Sequence, residues 1–324
     1  MHKVAVVGAS GYAGVELIRI LLKHPEIQIA CLGANTQAGQ WITNAYPHLN
    51  KILDKKFASS SDSEEWKDCS IVFTALPHGE SEKLVPTFLK AGKKVIDLSA
   101  DYRLNEEAVY GLPEIGMRSR IVESDLIANP GCYPTACLLA TRPLLDSEFI
   151  FKERIIFDCK SGVSGAGRSA SQGSLFCEAT ESVHAYGLLG VHRHQKEIEK
   201  IIQAPVQFSP HLVPMKRGIL ASCYIPLRKT MTSEGVWNLY KEFYENEAFV
   251  RILPLGQWPK TAYVSGSNYC DIGIGVDSRT NNLLVMSAID NLVKGAAGQA
   301  VQNMNIIMKF PETMSLQELH PIFP

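Results

Sequence analysis

The first fifteen residues, MHKVAVVGASGYAGV, constrain the fold more than any other stretch of the chain. A short apolar strand, KVAVV, runs into a turn that carries glycines at 8, 11 and 14, and a helical pattern follows. In a dinucleotide-binding unit these glycines allow the turn, the approach of a pyrophosphate and close helix packing. The helix N-terminus offers N–H groups to the phosphates. The motif therefore predicts a dinucleotide site at Gly8, Ser10, Gly11, Tyr12 and Gly14, with a plain glycine turn as the alternative.

Alternating strands and helices continue through the N-terminal part of the chain. Strands are expected at 27–33, 69–77 and 93–100, and a helix at 80–91. This order predicts an α/β fold with a Rossmann-type, doubly wound parallel sheet. Later strands, expected at 154–162, 218–227, 261–277 and 282–290, come without regular helices between them. They indicate an α+β catalytic domain with a mixed or antiparallel sheet.

The length of the chain argues for two domains. A single hydrophobic core rarely serves 324 residues. We expect an NADP-binding domain over 1–131 and a catalytic and oligomerisation domain over 132–295. An apolar helix predicted near 291–308 needs a surface to cover, so the C-terminal helical segment, 296–324, is expected to pack back on the first domain. An uncovered sheet face in the second domain would suit a partner subunit.

Composition excludes several classes of protein. The net charge is −1, which argues against non-specific binding of nucleic acid or of a membrane surface. No apolar run reaches the roughly 18 residues of a membrane span, and the N-terminus lacks a signal-peptide pattern. The eight cysteines are scattered without a CxxC, so neither a metal site nor a disulfide framework is predicted. We expect a cytoplasmic protein with reduced thiols.

The end of the second predicted strand bears on the choice of nucleotide. NAD enzymes usually place an acidic residue there, whereas this chain reads CLGANTQAGQ. Asn35 and Thr36 are small and polar enough to face a 2′-phosphate, which favours NADP(H). The alternative is that both residues simply form a turn.

A cysteine in NPGCYPT is the candidate nucleophile. Pro130 and Gly131 make a turn, and Pro134 suits the first residue of a helix expected over 134–146, where a missing N–H costs nothing. Cys132 then lies at the helix entrance, where the dipole and free N–H groups stabilise a thiolate. A buried structural cysteine is the competing interpretation.

Two histidines in VHRHQKEIE are candidate bases for that thiol. His192 and His194 flank an arginine just before a helical pattern, and a helix N-terminus favours a neutral imidazole. Glu197 lies where a capping-box acid would be if the helix began after His194. The residues do not decide which histidine reaches the sulfur, and both could be polar residues at a helix start.

Two further segments suit a phosphate. The loop SGVSGAGR at 161–168 offers backbone N–H groups, the hydroxyl of Ser164 and the guanidinium of Arg168. Arg103 follows a strand end, where ligands collect in doubly wound sheets. A surface ion pair would explain Arg103 almost as well.

Seven motifs, taken in order, resemble those of a known family. They are GASGYAG, DLSADYRL, GLPE, NPGCYPT, SGVSGAGR, HRHQKEIE and DNLVKGAAGQAVQNMN. Together they resemble the N-acetyl-gamma-glutamyl-phosphate reductases of arginine biosynthesis, within the aspartate-semialdehyde dehydrogenase superfamily. Lys196 departs from the family pattern, which usually has proline there.

The resemblance implies a reaction and a set of site residues. An acyl phosphate would be reduced by NADPH to an aldehyde through a thioester on Cys132, with His192 and His194 as acid and base. Substrate and phosphate contacts are expected from Arg103, Ser164, Gly165, Arg168 and Glu197, and nicotinamide contacts from Asn268 and Asn291. The family is usually dimeric or tetrameric. Rival readings are a reductase of aspartyl phosphate or of a carrier-linked glutamyl phosphate, a cysteine hydrolase or acyltransferase, and a nucleotide sensor.

Overall fold

The computed structural model describes residues 1–60, 62–169 and 172–321. The chain divides into two compact units. The first contains residues 1–113, 117–130 and 296–318, and the second contains 114–116, 131–295 and, among the described residues at the C-terminus, 319–321. These ranges differ from those expected from the sequence at 114–116, at Gly131 and beyond 318.

The first unit is built on one parallel sheet with strand order β2-β1-β3-β4-β6-β5. Its strands are β1 (His2–Val7), β2 (Ile27–Gly33), β3 (Ile71–Thr74), β4 (Lys94–Asp97), β5 (Val109–Tyr110) and β6 (Leu126–Ala128). Its helices are α1 (Tyr12–Leu21), α2 (Ile42–Ala45), α3 (Ser63–Trp66), α4 (Ser81–Lys90), α5 (Arg118–Glu123) and α10 (Gly298–Ile307). Val4 to Val7 are fully buried, as in parallel sheets covered on both faces. The Rossmann-type prediction is confirmed.

Helix α10 belongs to the first unit, although it comes almost 170 residues after Pro130. It packs on α1 and α5. Residues 293–297 precede it as a π-helical turn. The prediction that helix extends from 296 to 324 is wrong, because α10 ends at Ile307, Lys309 takes a positive φ of 59° and Pro311 follows.

The second unit contains a mixed sheet with strand order β11-β12-β13-β10-β7-β9-β8. The strands are β7 (Ile156–Gly162), β8 (His184–Ala185), β9 (Gln207–Val213), β10 (Ile219–Pro226), β11 (Val250–Ile252), β12 (Cys270–Asp277) and β13 (Asn282–Ile289). The helices are α6 (Cys132–Leu145), α7 (Phe176–Ala179), α8 (Arg193–Ile202) and α9 (Ser233–Phe243). Strands β7 and β9, and β11 and β12, pair in parallel, and the other pairs are antiparallel.

One predicted strand is shorter than its sequence pattern indicated. Residues 261–277 were expected to be extended throughout, but β12 begins only at Cys270. The preceding residues form a 3₁₀ turn at Thr261–Tyr263 and a further turn that includes Gly266, whose φ is 78°. Within the described residues, no helix is both long and apolar enough to cross a membrane.

Candidate active site

Cys132 is the first residue of α6, two residues earlier than the helix expected from Pro134. Gly131 precedes it as an extended N-cap, and the Gly131 carbonyl accepts bonds from the Thr135 N–H and hydroxyl, both at 2.9 Å. The thiol is partly exposed and forms no disulfide. The side chain therefore lies at the positive end of a 14-residue helix, within reach of solvent and ligands.

Glu197 links α8 to the start of α6. Its buried carboxylate accepts a 2.8 Å hydrogen bond from the N–H of Gly131, the residue before the thiol. The capping-box role predicted for Glu197 is wrong, because α8 begins earlier than expected and His192 is its N-cap. Its location identifies it as a support for the Cys132 turn.

His192 and His194 lie side by side, with ring centroids 4.8 Å apart. Nδ1 of His192 accepts a 3.2 Å hydrogen bond from the backbone N–H of His194 and so caps α8. Burial, reinforced by the positive charge of Arg193, lowers the pKa of His192 to about 4. The ring of His192 is therefore neutral at physiological pH.

Aromatic rings hold this pair in place. Tyr133, Tyr186 and Phe208 each contact the His192 ring edge-on, with centroids 5.3–5.9 Å away. The Tyr186 hydroxyl donates to the Tyr133 hydroxyl at 3.3 Å, and the latter donates to the carbonyl of His211 at 3.0 Å. Burial raises the pKa of Tyr133, and raises that of Tyr186 to about 12, so both remain neutral phenols.

The thiol and both imidazoles share a cavity of about 320 Å³ in the second unit. Its wall is formed by Cys132, Tyr133, Ser161, Gly165, Ala166, Gly173, Ser174, His184, Tyr186, His192, Arg193, His194 and Leu212. The sequence motifs did not identify Ser174, His184 or Tyr186 as site residues. No motif marks these residues, because they lie on an irregular segment whose only strand, β8, is two residues long.

The predicted phosphate loop contributes part of this wall. Ser164 and Gly165 lie in a 3₁₀ turn at Val163–Ala166, and only Gly165 of the two lines the cavity. The Ser164 hydroxyl instead accepts a 3.0 Å hydrogen bond from the Asn291 amide, whose oxygen accepts the N–H of Gly218 at 2.7 Å. Arg168 is exposed at the far end of the loop.

The remaining residue expected near the nicotinamide is also in the second unit. Asn268 is fully buried in the turn before β12. Neither Asn268 nor Asn291 is among the residues that line the cavity.

The turn between β1 and α1 is too crowded for side chains at Gly8 and Gly14, as the motif predicts. A Cβ built on Gly8 would lie 2.2 Å from the Ala75 carbonyl oxygen, and one on Gly14 would lie 2.3 Å from the Gly8 oxygen. A Cβ on Gly11 would meet only the Gly8 oxygen, at 3.5 Å, so the open space there is free for a ligand. The Ser10 carbonyl accepts the Tyr46 hydroxyl at 2.8 Å, and Tyr12 opens α1 at the surface.

Three other predicted residues also belong to the first unit. Asn35 and Thr36 are exposed on a 3₁₀ turn directly after β2, and the Asn35 amide oxygen accepts the N–H of Ser60 at 2.7 Å. Arg103 donates to the carbonyls of Asn129 and Leu98 at 2.9 and 2.8 Å. The alternative of a surface ion pair is wrong for Arg103, because the residue is buried.

Two family models match almost the whole chain. One, described as "Semialdehyde dehydrogenase, NAD binding domain", matches residues 3–123, and the other, "Semialdehyde dehydrogenase, dimerisation domain", matches 132–291. The N-acetyl-gamma-glutamyl-phosphate reductase of Geobacter metallireducens is 49% identical, with 100% of both chains covered. That of Symbiobacterium thermophilum is 48% identical, with 99% of both chains covered.

Solved structures share the fold at much lower identity. Aspartate semialdehyde dehydrogenase with NADP from Candida albicans aligns with a TM-score of 0.78 at 19% identity, covering 95% of this chain and 99% of that one. Aspartate semialdehyde dehydrogenase II of Vibrio cholerae aligns with a TM-score of 0.76 at 19% identity, covering 95% and 98%.

Proposed function

Because this chain belongs to the N-acetyl-gamma-glutamyl-phosphate reductase family, we propose that it reduces N-acetyl-gamma-glutamyl phosphate with NADPH. The products are N-acetylglutamate 5-semialdehyde and phosphate, and the reaction is a step of arginine biosynthesis. One observation carries the mechanism: a partly exposed cysteine at the first position of a helix shares a cavity with two imidazoles.

The first unit fits a dinucleotide. The space at Gly11 and the crowding at Gly8 and Gly14 make a turn in which only glycine lets a pyrophosphate reach the N-terminus of α1. Asn35 and Thr36 follow β2 where the adenosine ribose is bound in such folds, and neither carries a negative charge that would oppose a 2′-phosphate. NADPH, when bound, supplies the hydride.

Cys132 begins the reaction by covalent catalysis. Its sulfur bonds to the acyl carbon, and the bond between that carbon and the phosphate oxygen breaks, so phosphate leaves with the electron pair. Positive charge at the α6 N-terminus stabilises the thiolate that attacks. Ser164, Gly165 and Arg168, together with Arg103, are proposed to hold the phosphate.

The imidazole pair moves the proton in the second half of the reaction. Once the thioester has been reduced, the carbon carries an oxyanion and the sulfur. Breaking the C–S bond then releases the aldehyde and returns the thiolate. A neutral imidazole can take up the thiol proton, and the imidazolium so formed can give that proton to the oxyanion or to the departing sulfur; His192 and His194 both line the cavity.

The chain is proposed to work as a homo-oligomer in the cytoplasm. Residues 132–291, the match to the dimerisation domain, include the mixed sheet whose strands carry half-exposed apolar residues such as Leu220 and Met286. A dimer or tetramer built through this part would cover them.

The activity is tested in the reverse direction with NADP⁺, phosphate and N-acetylglutamate semialdehyde. We expect rapid NADP⁺ reduction by the unaltered enzyme and a loss of about 10³-fold or more for Cys132→Ser, with NADP⁺ affinity unchanged. Cys177→Ser is the matched control, because that cysteine is exposed and does not line the cavity. Faster turnover of aspartate semialdehyde than of the N-acetylated substrate would overturn the substrate assignment.

A further inference from the structure

Two motifs that the catalytic scheme leaves unused meet in a buried ion pair. Glu114 ends GLPE, and Lys294 lies in NLVKGAA. Lys294 Nζ donates to Glu114 Oε1 at 2.5 Å, and both side chains are completely buried. In the pairs Arg217–Asp290 and Arg251–Asp271, by contrast, the arginine side chain remains partly exposed.

The surroundings of the pair combine a buried aromatic ring with a second carboxylate, because a carboxylate oxygen of Glu247 lies within 4.8 Å of one of Glu114. Lys294 Nζ lies 5.7 Å from the centroid of the Phe249 ring, which is itself buried. Burial, and to a lesser extent the negative charge of Glu114, raises the pKa of nearby Tyr244. Residues 114–116 belong to the second unit although their chain neighbours on both sides belong to the first, and the ion pair joins Glu114 to Lys294 of the same unit.

Lys294 is one residue away from a close approach of the backbone to Cys132. It lies in the π-helical turn Val293–Ala297, and such turns often occur at functional sites. The next residue, Gly295, comes so close to Cys132 that a Cβ on it would lie 2.8 Å from the Cys132 Cβ and 3.2 Å from its Cα. Its N–H donates to the carbonyl of Asp290 at 2.9 Å.

We propose that Glu114 and Lys294 are positioning residues that hold Gly295 against Cys132 and so fix the direction of the thiol. The ion pair fixes the π-helical turn through the Lys294 side chain. Gly295, the next residue, then packs against the nucleophile and limits where it can lie. This inference rests on the proposed function only in taking Cys132 as the reacting group.

A purely structural role would have a different signature. Removing one partner leaves an uncompensated buried charge and destabilises the fold, whereas replacing both by apolar side chains of similar size is often neutral for stability. The double variant Lys294→Met/Glu114→Leu is therefore expected to remain folded. If the ion pair positions Cys132, the reactivity of the thiol should change even though the double variant is folded.

The experiment compares Lys294→Met, Glu114→Gln and the double variant in the full-length enzyme. The readouts are kcat, KM and the rate of Cys132 alkylation by iodoacetamide across pH. We expect the double variant to lose about tenfold or more in kcat, with KM little changed, because small misplacements of a reacting group are costly. Its alkylation rate should change as well. Gly295→Ala, which pushes directly on Cys132, should reproduce the effect.

The matched control is Arg251→Met. Arg251 pairs with buried Asp271 at 2.6 Å in the same unit, but neither residue lines the cavity. A double variant whose kcat and alkylation rate stay within about twofold of the parent, or of Arg251→Met, would overturn the proposal. Alkylation needs no substrate, so it tests positioning even if the enzyme fails to reduce N-acetyl-gamma-glutamyl phosphate.

Discussion

The imidazole of His192 shows how one residue acquires its chemistry from its neighbours. Its Nδ1 caps α8, aromatic rings surround it and Arg193 repels a proton. The sequence indicated a neutral ring from its position at a helix start. It did not indicate the contribution of burial, which comes from Tyr133, Tyr186 and Phe208, residues distant from one another along the chain.

This neutral state has a consequence for stability at low pH. The pKa of His192 falls from 6.5 to about 4 on folding, so the unfolded chain binds more protons between those values. The free energy of unfolding should therefore decline as the pH drops from 6.5 toward 4, and this group should add no pH dependence above 6.5. In His192→Gln we expect that decline to shrink by about 1 kcal/mol, a value discounted for the partial exposure of the ring.

Urea unfolding at about pH 7.5 and about pH 4.5 measures this effect. His48→Gln is the control, because His48 is exposed in the first unit. If His192→Gln and the parent lose the same stability between the two pH values, the neutral ring is contradicted.

At the scale of elements, the glycines in the turn between β1 and α1 have two distinct roles, one in helix packing and one in ligand binding. Gly14 is required by the protein itself, because a Cβ there would collide with the backbone of Gly8 and Ala9 at 2.3 and 2.8 Å. Gly11 has room for a Cβ in the protein alone. The two glycines can therefore be distinguished by experiment.

We expect Gly14→Ala to lower the free energy of unfolding by about 1–3 kcal/mol through overpacking. Gly11→Ala should leave stability nearly unchanged and weaken NADPH binding by about tenfold or more, or about 1.4 kcal/mol. Thermal unfolding and titration of NADPH fluorescence measure the two effects. Equal NADPH affinity in Gly11→Ala and the parent would show that this turn does not receive the pyrophosphate.

The sequence predicted those helices and strands that have a clear hydrophobic pattern or a turn signal of their own. Strand β2 matches its expected range of 27–33, and α6 differs from its expected start by two residues. The patterns missed β9, in which Pro210 and His211 interrupt the apolar alternation, and the two-residue strand β8. These strands exist because β7 and β9 supply their partners across the sheet.

The sequence predicted those site residues that lie within or beside a recognisable motif. Cys132, His192 and His194 were found from neighbouring turn and helix signals, and all three line one cavity. Glu197 and Gly295 act on the cysteine turn over 66 and 163 residues of sequence, respectively. No local pattern carries information about contacts at such separations.

At the scale of the whole molecule, the chain returns to its first unit through α10. Asn303 on this helix is completely buried and donates to the Gly111 carbonyl at 2.9 Å and to the Asn129 side chain at 3.1 Å. Gln299, one turn earlier, is equally buried, yet neither of its amide atoms has a hydrogen-bond partner among the described residues. One helix thus carries a buried amide whose NH₂ group is hydrogen-bonded, in Asn303, and a buried amide, in Gln299, that has no partner among the described residues.

Asn303→Leu should lower the free energy of unfolding by about 1–3 kcal/mol, because it orphans a buried carbonyl. Gln299→Met should leave stability unchanged or raise it, because it removes a buried polar group that has no partner. Urea unfolding of both variants measures these two changes in the free energy of unfolding. Equal losses in the two would contradict the view that the hydrogen bonds of Asn303 fasten the C-terminal segment.

The most direct measurement is mass spectrometry of the enzyme mixed with N-acetyl-gamma-glutamyl phosphate in the absence of NADPH. An N-acetylglutamyl thioester should accumulate on Cys132 alone, and NADPH should discharge it as the aldehyde. An enzyme that turns over the substrate yet gives no adduct, or gives one that persists in Cys132→Ser, would contradict the covalent mechanism.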